Sequence, residues 1–300
     1  MRNELSSAKP ILGLKVTSDN QYYSIVRISK KKHEFKNDLF WCTGSLITTV
    51  HVITAAACFK GKKSEELSVT VSNDKGESLT KNLLRTVTYR DWATNNHPKS
   101  CPTPIHLQEY DDLGILELSE PVPGITAPFL YVGKRLDPPG TSVVFTGWGD
   151  RSHRQFFPNR PSRVTMKITD KYECEKEIAS FMKTCRTTFV LPDHLSCAQS
   201  QDDELEARSK VTWGDRGGPV FRETTDKLDH VIVGIIINSN RLTNRQRIED
   251  SNVVNLMLRL GPHFKKFISD ETGNKARFKL NLCPQNGCGL TSNEISFKNE

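Results

Sequence analysis

The sequence predicts an all-β protein, on three observations, and its pattern is the one that two packed antiparallel barrels would give. Its β-branched and aromatic runs are short and separated by turns. Only two stretches read as helices. At 300 residues the chain can bury a core in one large domain or two half-domains. The composition, 36% apolar and 26% charged, is that of an ordinary globular chain, and no apolar run approaches membrane-spanning length.

In order, the expected strands are Tyr22–Ile28, Ser45–Thr54, Leu83–Tyr89, Ile115–Leu118, Ser142–Thr146, Arg163–Ile168 and Val231–Ile237. The expected helices are Lys171–Lys183 and Pro262–Asp270, and the junction between the barrels falls near Pro121–Gly133. No internal repeat or low-complexity segment interrupts this pattern. The net charge of +7 gathers at Lys30-Lys31-Lys32, Lys60-Gly61-Lys62-Lys63, Arg241–Arg247 and Lys265-Lys266. Such clusters suit sulfated glycans, nucleic acid or acidic protein faces, and at least two of them read as ordinary solvated loops. Nothing resembles a nucleic-acid module.

Eight cysteines are too many for a reduced domain without metal-ligand spacing. Cys283 and Cys288 have no second pair nearby, so no zinc knuckle is formed, and no metal or cofactor is expected. An oxidising, extracellular setting follows. Met1–Pro10 lacks the apolar core of a secretory signal, so secretion is inferred from the cysteines and from family likeness.

Three motifs carry the chemistry. Trp41-Cys42-Thr43-Gly44-Ser45-Leu46-Ile47 leads into Val52-Ile53-Thr54-Ala55-Ala56-Ala57-Cys58. Tyr110-Asp111-Asp112-Leu113-Gly114-Ile115-Leu116 follows, and then Trp213-Gly214-Asp215-Arg216-Gly217-Gly218-Pro219-Val220. In this order they resemble the histidine, aspartate and serine signatures of trypsin- and chymotrypsin-like serine proteases. Ile11-Leu12-Gly13-Leu14, Thr146-Gly147-Trp148-Gly149 and Val233-Gly234-Ile235 resemble further marks of that family. The resemblance runs from about Ile11 to Ile268 and implies two six-stranded barrels. It divides the chain into a leader or pro-segment remnant at 1–10, a protease-like domain at 11–268 and a C-terminal extension at 269–300. Within the domain, barrels are expected at about 11–125 and 126–260, with a closing helix at about 262–270.

The resemblance also shows what has changed. The general base is expected immediately before the second cysteine, where Ala57 stands, and the nucleophile's place holds Arg216. A guanidinium stays protonated and has no lone pair to deliver. Asp112 keeps the place of the buried carboxylate. The backbone N–H groups of Gly214 and Arg216 would form the oxyanion hole. An unpaired buried carboxylate is costly, so Asp112 needs a donor, a raised pKa or water. Arg216 either folds inward to pair with Asp112 or points into solvent, and a separation beyond about 6 Å would exclude the pair. The serine that usually donates to this carboxylate is replaced by Ile237. His51, His97 and His106 are read as packed or solvated residues, not as a substitute base.

Family matching gives the disulfides Cys42–Cys58 and Cys174–Cys197, while Val143, Arg222 and Thr212 stand where the family has other bridge cysteines. Cys101 and Cys185 fall in enlarged loops that face each other in this fold, which suggests Cys101–Cys185. Cys283–Cys288 would close a tail loop; free or swapped thiols are the alternative. Each bridge would contribute roughly 2–4 kcal/mol. Lys210 takes the specificity-pocket position, where it either attracts an acidic side chain or lies on a remodelled surface. Pro10 precedes Ile11, so a trypsin-like activator would not release the Ile11 ammonium that pairs with Asp215 in the family. The expected protein is a secreted, inactive homologue. It would bind a protease, zymogen or inhibitor as a cofactor or decoy in a proteolytic cascade, with no nucleic acid or membrane partner. A peptidase with non-standard chemistry and a binder of an anionic glycan are the competing readings.

Overall fold

The computed structural model describes residues 23–31, 39–72, 77–96, 111–134, 137–149, 161–181, 190–199, 211, 214–222, 231–238 and 255–280. The first barrel is built from β1 (Ile25–Lys30), β2 (Leu39–Leu46), β3 (His51–Thr54), β4 (Leu67–Ser72), β5 (Ser78–Thr88) and β6 (Gly114–Leu118). These close in the order β1-β2-β3-β6-β5-β4. The linking segment carries β7 (Phe129–Tyr131). The second barrel uses β8 (Ser142–Gly147), β9 (Ser162–Ile168), β10 (Leu195–Gln199), β11 (Pro219–Arg222), β12 (Val231–Asn238) and β13 (Asn255–Arg259). Its order is β11-β8-β9-β10-β13-β12, closed by β11 pairing with β12. Every pairing within the two rings is antiparallel.

Period-two alternation explains the inward faces. Along β9, Ser162, Val164, Met166 and Ile168 are buried, while Arg163, Thr165 and Lys167 face outward. At Gly44 any β-carbon would lie 2.7 Å from Val52 Cγ1, so only glycine lets β2 and β3 approach this closely.

The elements differ from the expectation in instructive ways. The single strand expected over Ser45–Thr54 is two strands. The Oγ1 of Thr48 accepts the N–H groups of Val50 (3.2 Å) and His51 (3.0 Å), making a side-chain turn without glycine or proline. β5 begins at Ser78 and ends at Thr88, and Tyr89 opens an unexpected helix, α1 (Tyr89–Asn96). Thr88 caps that helix: its Oγ1 accepts from Asp91 N–H (3.0 Å) and donates to Asp91 Oδ2 (2.6 Å). α2 (Lys171–Phe181) lies where a helix was expected.

The closing helix, α3 (Pro262–Thr272), runs past the expected Asp270 and stops where Gly273 adopts a left-handed φ of 56°. The segment expected as a separate extension therefore starts inside a helix. It continues as β14 (Arg277–Lys279), which pairs parallel with β7. Arg277 stacks on Phe129 at 3.7 Å and donates to Ala127 O at 3.0 Å, holding that strand down.

The barrels are also joined by α1 and α3. The Tyr89 ring meets Phe264 edge-on at 4.8 Å, and Trp92 donates to Asp270 Oδ2 at 3.2 Å. Arg85 on β5 ties Glu117 (2.5 Å) to Glu271 of α3 (2.6 Å).

The disulfides Cys42–Cys58 and Cys174–Cys197 are formed. Arg222 and Val143, where the family has bridge cysteines, are direct partners across β11 and β8. In place of a bridge, Arg222 pairs with Asp137 at 3.3 Å, the two side chains being 9% and 7% exposed. Burial pushes the Asp137 carboxyl up, and Arg222 and then Arg259 pull it back. Replacing Arg222 alone, as Arg222→Met, should lower stability by about 2 kcal/mol, because it strands a buried charge that Arg259 only partly compensates. Adding Asp137→Asn should recover most of the loss. Urea unfolding of both variants at neutral pH checks this, and an Arg222→Met protein as stable as the parent would show the pair to be dispensable.

Candidate functional site

Ala57, Asp112 and Arg216 meet where the barrels join. Asp112 enters just before β6, and its side chain is 6% exposed. Its Oδ1 accepts the Ala57 N–H at 2.7 Å, and its own carbonyl accepts from Ala56 N–H at 3.2 Å. Its Oδ2 receives Arg216 Nε at 3.2 Å and also Arg216 Nη2. Arg216 thus folds inward and pairs with the carboxylate. Its side chain remains 26% exposed.

Short connections fix the turn that presents Arg216. Gly217, with φ of 81°, lies against Thr54 Oγ1 and the Thr43 carbonyl, where no β-carbon fits. Gly217 N–H donates to Ile236 O at 2.7 Å, and Gly218 N–H to Asp215 O at 2.9 Å. Asp215 is fully buried, and its Oδ1 accepts from Gly149 N–H at 2.7 Å. Gly147 has no room for a side chain because that same oxygen lies over it, which gives the Thr146-Gly147-Trp148-Gly149 motif its physical reason.

Thr43 is the seam residue that the sequence reading passed over. Its N–H donates to Arg216 O at 2.8 Å, and its Oγ1 donates to Gly214 O at 2.7 Å and accepts from Trp148 N–H at 3.0 Å. Its carbonyl accepts from Thr54 Oγ1 at 2.8 Å. The available signal was a threonine where the family motif has a glycine.

Other expected site residues separate into three groups. The backbone N–H groups of Gly214 and Arg216 donate to no backbone carbonyl among the described residues. Ile237 is buried, and His51 is buried with Nδ1 2.7 Å from Thr48 Oγ1; burial pushes its imidazole pKa down. His51 is a packed residue and not a base. Ile11, His97, Cys101, His106, Cys185, Lys210, Arg241–Arg247, Cys283 and Cys288 lie outside the described residues.

Chemically, the centre holds a methyl group and a guanidinium beside a carboxylate. Neither Ala57 nor Arg216 can attack a carbonyl or accept a proton at neutral pH. Among the described residues, no cluster of histidine, cysteine or acidic side chains could hold a metal ion.

Burial is the largest influence on Asp112 and pushes its carboxyl above the ordinary 3.8, with Arg216 and then the Ala57 N–H opposing it. The folded state therefore holds this proton to higher pH than the unfolded chain does. The group's contribution is best in acid and declines as pH rises through that window. Arg216→Ala removes the main opposing influence. It should cost about 1–2 kcal/mol at neutral pH, a figure reduced for the partial exposure of the guanidinium. Near pH 4 the cost should shrink, because a protonated Asp112 needs no cation. Asp112→Asn in the same background should restore part of the loss. Denaturant unfolding at both pH values checks the sign, and a penalty that grows in acid would contradict it.

Comparison with known proteins agrees with this geometry. The family model "Trypsin" matches residues 11–249. Trypsin theta of Drosophila melanogaster is 27% identical over 204 residues, covering 67% of each chain. Serine protease filzig of the same fly is 27% identical over 195 residues, covering 62% of this chain and 10% of that longer protein. Among solved structures, a human heparin binding protein superposes with a TM-score of 0.60 at 17% identity, covering 89% of this chain and 98% of the other. No helix among the described residues is long and apolar enough to cross a membrane. On the family match and the two-barrel fold together, the chain belongs to the trypsin family of serine proteases.

Proposed function

We propose that this chain is a catalytically inactive family member that acts by binding another protein outside the cell. The observation that carries the reading is the Arg216–Asp112 pair. In the family's chemistry the buried carboxylate orients an imidazole, and the imidazole takes the proton of the serine hydroxyl. Here the carboxylate's open oxygen is taken by a guanidinium, and position 57 offers only a methyl group. Among the described residues both six-stranded barrels are closed, and a retained protease scaffold without the family's base and nucleophile suits a cofactor or decoy in a proteolytic cascade.

An extracellular setting is supported by the two disulfides, since such bonds persist where the medium is oxidising. Family membership keeps the peptidase reading in play as the direct competitor. Purified protein incubated with a broad set of peptide and ester substrates should show no turnover, and an active-site phosphonate should leave it unlabelled. Turnover that disappears in the Asp112→Asn variant would establish an enzyme and overturn the binding reading.

A further inference from the structure

Pairing with Asp112 does not exhaust Arg216. A guanidinium is a planar fork with N–H groups on Nε, Nη1 and Nη2. Nε and one N–H of Nη2 form one edge of that plane, and both are directed at Asp112 Oδ2. The opposite edge holds Nη1 and the second N–H of Nη2. It bonds to no described residue. Asp112 is 6% exposed and Arg216 26% exposed, so the guanidinium grips a buried carboxylate while part of its own side chain reaches the surface. Ala57 beside it is exposed. Lys60 follows in the same turn, its N–H donating to Ala56 O at 2.9 Å, and its side chain is exposed.

We propose that the outer edge of Arg216 is a carboxylate-binding site that takes an aspartate or glutamate side chain from an extended segment of a partner protein. The proposal rests on the binding reading above and names the chemistry that the partner presents. A planar fork matches a carboxylate with two parallel hydrogen bonds, and the low polarity around a half-buried donor strengthens them. Lys60 and the net charge of +7 add longer-range attraction for an acidic segment. A sulfated glycan would instead need cations spread over several sugars, whereas Arg216 presents a single fork. Asp112 is already satisfied at both oxygens, so it does not compete for the incoming group's partner.

The test uses the whole chain and two capped peptides, acetyl-Gly-Ser-Glu-Ser-Gly-amide and its glutamine twin. Titration by calorimetry or NMR should show the glutamate peptide binding at least about fivefold more tightly, as a charge-assisted pair requires. Arg216→Lys can still face Asp112 but has no fork, and it should abolish the preference. Lys60→Gln should weaken the glutamate peptide mainly at low salt. If Arg216→Lys fails to fold, the Arg216 Nε–H signal of the wild-type protein decides: it should move with the glutamate peptide and stay still with the glutamine one. Equal affinities, a preference that survives Arg216→Lys, or a heparin fragment that moves the Arg216 signal when the glutamate peptide does not would each overturn the proposal. Mass spectrometry of the same peptides separates the two levels. Cleaved peptides would defeat the binding reading itself, while intact peptides with no preference would defeat only the carboxylate site.

Discussion

A carboxylate buried between two barrels must be given hydrogen-bond donors, and the rest of this centre is arranged around that need. Asp112 sits at the entry to β6, where packing of the first barrel excludes water. An isolated ionised group there would be prohibitively costly. The Ala57 N–H satisfies one oxygen, and the Arg216 guanidinium satisfies the other. The arginine at the position matched to the family's nucleophile thus supplies a cation to this carboxylate. The two departures from the family pattern are complementary: an alanine makes room, and an arginine fills it.

That complementarity depends on the scaffold bringing Arg216 to Asp112 from the opposite barrel. The turn at Gly214–Gly218 reaches across because glycine is tolerated against the Thr43 carbonyl and Thr54 Oγ1. Thr43 then fastens it through two hydrogen bonds, to Arg216 O and Gly214 O, and is itself held by Trp148 N–H. Buried hydrogen bonds of this sort each contribute about 1 kcal/mol and cost more when left unmade. Elsewhere the fold has exchanged covalent links for polar ones. Arg222 stands opposite Val143 without a disulfide and reaches Asp137 instead. Arg85 and the α1–α3 aromatic contacts tie the first barrel to the closing helix.

The architecture was largely legible because its marks are local: cysteine pairs, glycine runs and apolar strands in a fixed order. The inward turn of Arg216 was legible as one of two alternatives, since desolvation of Asp112 favoured a cation but could not show its direction. What was hidden depended on contacts distant in sequence or on side-chain turns. Thr48 breaks Ser45–Thr54 into two strands through its hydroxyl, a signal that hydrophobic periodicity does not carry. The capping pair Thr88 and Asp91 was visible in principle, but the adjoining β-branched run masked it. The role of Thr43 exists only once residues 214–218 fold onto it, and β14 has no length or pattern that would separate it from a tail.

The most direct measurement is a double-mutant cycle on Ala57→His and Arg216→Ser, followed by urea unfolding at neutral pH. If guanidinium and imidazole compete for one carboxylate oxygen, Ala57→His alone destabilises the protein. With Arg216→Ser the ring then takes over as donor, and the double variant exceeds the sum of the singles by more than about 1 kcal/mol. Additive effects would mean that Arg216 does not occupy the place of the absent base, and the centre described here would have to be abandoned.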